Sequence, residues 1–344
     1  MRRLPALLLV LFLLTACTGE QAAAPTSGLV RYEASFLTLF DTVTVIKGYA
    51  EDEAAFQNTA QEIYDALLEY HQLYDIYHEY PGMVNLKTLN DAAGGPPLEV
   101  GRPILDLLLF CQEVFAETGG QVNTAMGSVL SLWHAAREAG TADPDQAALP
   151  DQAALESAAL HMDFSAVVID EAASTVQITD PETRLDVGAV AKGFAVEQVC
   201  QDAPAGLLIS VGGNVRATGP KADGQPWVVG VQSPDGGAED YLHTLAISQG
   251  AVVTSGDYQR YYTVDGLRFH HIIDPTTLYP AAYWRSVTIL CSDSGLADAL
   301  STALFTLPLE EGQALLDRWD AQAMWVDPSG QIFYSPGFSE AIRT

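Results

Sequence analysis

From about residue 160 to the C-terminus the sequence breaks into short apolar runs separated by turn residues, interrupted by few stretches of helical spacing. The runs at 165–170, 174–179, 206–211, 227–232, 241–247, 260–264 and 285–291 have the length and β-branched content of strands. Helices are expected at 190–201 and 294–307. Strand and helix do not alternate regularly, which argues against a doubly wound parallel sheet and predicts an α+β fold.

The preceding half is richer in helix. "SFLTLFDTVTVIK", within Tyr32 to Lys47, alternates as a strand pair or one long strand would. Ala55, Ile63, Ala66, Leu67, Tyr70 and Tyr74 then recur at helical spacing and predict a long helix over 52–74. A second helix is expected from about Pro103 to Thr118, stopped by Gly119-Gly120, and a short third one over 126–139. The hexapeptide PDQAAL occurs twice in succession over 144–155. It is too short for a solenoid repeat and reads as an expanded surface loop or helix start without function.

Met1-Arg2-Arg3, the apolar run Leu4–Leu14 and the small residues before Cys17 form a charged, an apolar and a cleavage region. Leu14-Thr15-Ala16-Cys17 resembles a bacterial lipobox, which predicts a leader over 1–16, a lipidated Cys17, a tether over 17–31 and a folded domain over 32–344. An ordinary signal peptide cut elsewhere is the alternative. The lipid anchor would place the chain at the outer face of the cytoplasmic membrane, held by more than one acyl chain. No later apolar run approaches membrane-spanning length. The formal charge is −28, so the general field of the chain repels nucleic acid and anionic lipid alike. A phosphorylated ligand would therefore need a local cation. Cys111, Cys200 and Cys291 are too scattered for a disulfide framework or a zinc site and are expected as buried free thiols.

Three segments could carry chemistry. In "RLDVGAVAKGFAVEQV", Arg184 to Val199, a glycine turn feeds a helix whose first turn holds Lys192 and Gly193. A helix N-terminus with a lysine suits phosphate, and Gly188 and Gly193 would allow close backbone approach; a structural turn with a solvated lysine fits equally well. In "LADALSTALF", Asp298 and Thr302 lie four apart on one helix face, where they could share magnesium. The alternative is a helix-start acid and a buried threonine. In "RFHHIIDPTTLYP" two histidines precede an Asp-Pro turn, as a general base or as a plain surface pair. "VGGNV" and "TSGDYQR" read as glycine-marked turns.

Taken together and in order, "LNDAAGG", "TGG" followed by Asn123 and Thr124, "DVGAVAKG", "VGGN", "TSGDYQR", "HHIIDP" and "ADALSTALF" resemble the ApbE family of FAD:protein FMN transferases. The resemblance implies a T-fold-like α+β architecture and magnesium-dependent cleavage of FAD, with FMN passed to a serine or threonine of an acceptor protein and AMP released. It implies that Asp186 and Lys192 bind FAD, with Phe40, Tyr77, Gln121, Val122, Asn123 and Ile272 nearby. It further implies that Ala189, Asp298 and Thr302, with Ser301 adjacent, serve Mg2+, and that His271 is the base. The acceptors implied are subunits of membrane redox complexes. An FAD pyrophosphatase or a non-catalytic FAD-binding lipoprotein are the other readings. The chain departs from the family pattern at Leu278, where glycine is usual, and at Asn123, where an acid is usual.

Overall fold

A computed structural model of the chain describes residues 28–237 and 240–343. The leader, Cys17 and most of the expected tether lie outside the described residues. The segment read as one strand or two is a hairpin of β1 (Val30–Leu39) and β2 (Thr42–Ala50), which turns through Phe40 and Asp41, both at φ 52. A two-residue hairpin turn of this hand favours Asn and Gly, so a phenylalanine there is strained. Its ring faces the cleft described below.

Helix α1 (Glu53–Leu73) starts where the Asp52 side chain accepts from Ala55 N, and it buries Phe56, Ala60, Ile63 and Leu67 against the hairpin. The short α2 (Leu86–Asp91) and β3 (Leu98–Glu99) lead into α3 (Arg102–Glu117), which stops before Gly119 and Gly120, both at positive φ. Helix α4 (Gly127–Ala142) outruns its expected end at 139. After α5 (Gln152–Ala159), strands β4 (Val167–Asp170) and β5 (Thr175–Ile178) join β3 in a small sheet.

The remaining elements build the body. They are α6 (Ala191–Asp202), β6 (Leu208–Val211), β7 (Asn214–Ala217), β8 (Trp227–Gln232), β9 (Tyr241–Ile247) and β10 (Gly250–Gly256), followed by β11 (Tyr261–Val264) and β12 (Leu267–His270). The chain ends with β13 (Ser286–Cys291), α7 (Ser294–Phe305), α8 (Leu309–Leu316), β14 (Ala321–Val326), β15 (Ile332–Tyr334) and β16 (Ile342–Arg343). An antiparallel sheet of eight strands runs in the order β1-β2-β6-β7-β10-β13-β14-β15. Helices α1, α6 and α7 cover one face, and the sheet β16-β9-β8 covers the other through a second core that includes Trp227, Leu245 and Met324. All six residues of β13 are buried because both of its faces are covered. The architecture is α+β, as expected. Cys111, Cys200 and Cys291 are buried free thiols.

Two expected turns are corrected. Only Gly212 and Gly213 of "VGGNV" form the turn between β6 and β7, and "TSG" ends β10. The alternation was hidden because Asn214 and Arg216 point polar side chains toward the helical layer, where Arg216 meets Glu197 of α6. The two PDQAAL copies also differ. The first forms a single turn of 3-10 helix at Pro144–Gln146, whereas in the second Asp151 caps α5 by accepting from Ala154 N. Neither is idle: Ala148 O accepts from the Tyr262 hydroxyl at 3.2 Å, and Gln152 Oε1 from the Tyr279 hydroxyl at 2.8 Å.

Leu278 keeps the left-handed backbone that glycine would adopt freely, at φ 63. Its carbonyl accepts from Trp133 Nε1 at 2.9 Å, and its buried side chain packs in a third cluster with Trp133, Tyr262 and Ile273. Left-handed backbone costs a residue with a Cβ about 1–2 kcal/mol, whereas truncating a buried leucine to alanine costs about 2–5 kcal/mol. Burial therefore outweighs the strain. Thermal unfolding should rank wild type above Leu278→Gly and Leu278→Gly above Leu278→Ala, since alanine keeps the strain and loses the packing; an alanine variant more stable than the glycine one would contradict this account.

Candidate active site

The main body and a flanking wall made by α4 and the β11–β12 hairpin enclose a cleft of about 1080 Å³. Among the sequence-predicted residues, Phe40, Tyr77, Gln121, Val122, Asn123 and Asp186 line it. So do Ala189, Lys192, His271, Ile272, Asp298 and Thr302. Ser301 does not. It is fully buried, its hydroxyl bonded to Ser255 Oγ and to the Asp298 carbonyl, each at 2.8 Å.

Asp298 is held by a crossing of α6 and α7 that only glycine permits. A Cβ on Gly193 would lie 2.3 Å from Ser294 O and 2.4 Å from Asp298 Cβ. The contact lets Gly193 N donate to Asp298 Oδ2 at 2.9 Å. Gly193 thus serves helix packing and the carboxylate rather than direct ligand approach. Beneath the crossing, Glu197 accepts from Arg216 at 2.9 and 3.2 Å and from Ser294 N at 2.7 Å. Asp298 is only 5 % exposed, and burial raises its pKa against the opposing influence of Lys192, whose Nζ stands 3.9 Å away. Such a carboxylate, beside the Thr302 hydroxyl and the Ala189 segment, fits a hard cation that takes oxygen ligands and keeps some of its waters. No cluster of three or more His, Cys, Asp or Glu suited to a metal occurs among the described residues, so a cation here would draw on mixed ligands and on its substrate.

The histidines divide their roles. His270 is buried and structural: Nε2 donates to Ala281 O at 2.9 Å and Nδ1 accepts from Ile272 N. His271 faces the cleft. Its Nδ1 lies 3.2 Å from Arg260 O, and a carbonyl can only accept, so Nδ1 carries the proton and Nε2 presents a lone pair. Burial first, then the positive charges of Arg260, Lys192 and Arg137, push the His271 pKa down to about 3. The imidazole is neutral at physiological pH and shaped as an acceptor.

Arg137 and Arg260 also line the cleft; Arg260 ends "TSGDYQR", which reads in sequence only as a turn, and Arg137 lies outside every motif. Arg137 could have been found: Met126, Leu130, Trp133, His134 and Arg137 form one face of α4, and all line the cleft. Arg137 Nη2 donates to His134 Nδ1 at 2.8 Å, and Tyr77 stacks on His134 with centroids 5.4 Å apart. With Lys192 these guanidiniums supply the local positive charge that an acidic chain needs for an anion. Asp186 lies among them, its pKa raised by burial and opposed by Gly188 N, His134, Lys192 and Arg137.

Two predicted contacts use their polar atoms internally. Asn123 Nδ2 donates to Met162 O at 2.8 Å and its Oδ1 accepts from Ala125 N at 2.9 Å, so an aspartate could not replace it without losing the donor. Gln121 Oε1 accepts from the Thr306 hydroxyl.

These features define a cleft with three cations, a buried carboxylate and a neutral imidazole facing it. The chain belongs to the ApbE family, whose model matches residues 40–325. It is 34 % identical to an FAD:protein FMN transferase of Treponema pallidum over 277 residues, 75 % of each chain. A Klebsiella pneumoniae FAD:protein FMN transferase is 31 % identical over 86 % of this chain and 90 % of its own length. The crystal structure of an ApbE protein from Thermotoga maritima, 28 % identical, superposes with a TM-score of 0.81, covering 92 % of this chain and 100 % of that one. The flavin transferase ApbE of Vibrio cholerae, at 24 % identity and a TM-score of 0.76, shares the fold over 91 % of this chain and 99 % of its own.

Asp75, also outside the motifs, organises the loop that presents Tyr77. Its carboxylate accepts from Tyr77 N at 2.6 Å, His78 N at 3.1 Å, His78 Nδ1 at 3.0 Å and the Tyr80 hydroxyl at 2.8 Å. Burial raises its pKa, but these hydrogen bonds outweigh it and hold the group below the usual carboxylate range. Asp75→Ala should weaken FAD binding about tenfold or more, as loss of charged hydrogen bonds worth about 1.5–3 kcal/mol each would imply. Flavin fluorescence titration measures it; unchanged affinity would show that the Tyr77 loop does not bear on the ligand.

Proposed function

We propose that this chain is a magnesium-dependent FAD:protein FMN transferase that passes FMN to a serine or threonine hydroxyl of an acceptor protein. The observation that carries the reading is the convergence of Asp298, Thr302, Lys192 and His271 on one cleft of a size suited to a nucleotide. Phe40, Tyr77, Gln121, Val122, Asn123, Asp186 and Ile272 are the proposed FAD contacts. Lys192, Arg137 and Arg260 hold the pyrophosphate oxygens, and Ala189, Asp298 and Thr302 would hold Mg2+. When bound, magnesium neutralises charge that develops on those oxygens.

The acceptor oxygen bonds to the phosphorus of the FMN half as the anhydride P–O bond breaks, and AMP leaves with the bridging oxygen. His271 Nε2 takes the hydroxyl proton. Phosphoryl transfer asks little covalent chemistry of a protein and much positioning. The predicted leader and lipidated Cys17 would hold the enzyme at the outer face of the cytoplasmic membrane, where a membrane redox subunit would be met at raised effective concentration. No helix among the described residues is long and apolar enough to cross a membrane.

Incubation of the mature chain with FAD, Mg2+ and an acceptor domain should give covalent flavin fluorescence on the acceptor, which EDTA abolishes. FMN and AMP free in solution would instead identify a pyrophosphatase, and intact bound FAD a carrier. His271→Ala should slow transfer by a factor of about 100–10,000, the usual contribution of a general base. Wild-type rates in that variant would remove His271 from the mechanism.

The same residues set the pH dependence. A base fails when protonated, and in the free enzyme His271 protonates only far below the ordinary histidine value of 6.5. Bound pyrophosphate neutralises Arg260, Lys192 and Arg137, the three cations that depress it, so the complex should protonate at higher pH. The acid limb of kcat should therefore lie above that of kcat/KM. Coincident limbs in the two profiles would contradict this electrostatic account.

A further inference from the structure

Strand β7 presents two polar side chains to the helical layer, Asn214 and Arg216. Arg216 is accounted for by its ion pair with Glu197. Asn214 is not. It is 2 % exposed and lines the cleft, and its Oδ1 is buried without a hydrogen-bond partner. The amide orientation is dictated by its neighbours. Nδ2 lies 3.5 Å from the Val211 carbonyl and stands beside the Asp298 carboxylate, both of which only accept, so the nitrogen must face them and the oxygen must face away. A buried carbonyl oxygen left unpaired costs about 1–3 kcal/mol, so an orphan of this kind needs a ligand to satisfy it.

Its location narrows what that ligand is. The Gly212-Gly213 turn, with φ of 57 and 93, brings Asn214 back opposite Val211, and Asn214 also pairs with Val253 of β10. The side chain therefore sits under α7, in the cleft floor beside Asp298. The occupant of Oδ1 must be a cation or a hydrogen donor, and the neighbouring carboxylate favours the cation together with its waters.

Resting on the cation site proposed above, we infer that Asn214 is a positioning residue of that site: its amide nitrogen steadies the Asp298 carboxylate, and its oxygen accepts from a water in the cation's shell. Mg2+ characteristically retains several waters, and groups that orient a metal's ligands or waters alter its affinity about 10- to 100-fold when removed.

The test uses the mature chain free of flavin, with Mn2+ alone as the probe and free Mn2+ read by electron paramagnetic resonance. Asn214→Ala should weaken Mn2+ binding about 10- to 100-fold. Asn214→Thr, whose hydroxyl both donates and accepts, should recover part of the loss. In the transfer assay the Mg2+ concentration for half-maximal rate should rise more than kcat falls, a split that general damage to the fold would not produce. Asp298→Ala is the reference. If it binds Mn2+ as wild type does, the cation site itself is misplaced; if it loses Mn2+ while Asn214→Ala keeps wild-type affinity, the role of Asn214 alone is overturned.

Discussion

The approach of α6 to α7 at Gly193 is the contact on which the rest of the site depends. Any side chain at that position would strike the Ser294 carbonyl and force the helices apart. Separation would take Asp298 from the Gly193 amide and from Lys192 together, leaving a buried carboxylate with little compensation, which costs several kcal/mol in the protein interior. The Glu197–Arg216 pair reinforces the crossing from below by binding the first turn of α7 through Ser294 N. Breaking one partner of such a buried pair typically costs about 3–5 kcal/mol. Helix packing and site electrostatics are thus one arrangement.

Around that fixed point the few cations of the chain are gathered among the cleft's carboxylates. A molecule of formal charge −28 gathers Lys192, Arg137 and Arg260 on the walls of one cleft. The effect is selective, since the bulk field discourages polyanions while the cleft offers three cations to a small one. The same cations suppress protonation of His271, so the groups that would bind the ligand also keep the imidazole neutral.

Much of this was legible in the sequence. Apolar spacing gave α1, α3 and the sheet-forming runs to within a few residues, and the spacing of Asp298 and Thr302 placed both on one wall of the cleft. What escaped detection did so for physical reasons. Strand β7 is polar on its inward face because it faces an ion pair and a carboxylate, so its alternation did not look apolar. Ser301 sits beside the ligand-like residues in sequence but rotates away on the helix, toward Ser255. Asp75 belongs to the cleft only through tertiary approach. Leu278 occupies a glycine-like backbone position, and only its burial explains why leucine survives there.

The doubled PDQAAL hexapeptide bears on how a protein of this kind can change length. The copies are identical in letters yet one is a tight turn and the other opens a helix, each bracing a different tyrosine of the cluster around Trp133. Identical sequence here takes two local structures. The surroundings, rather than the peptide, decide the shape of each copy, so six further residues fit the same surface without a new element of their own, and each copy carries a contact that the other does not.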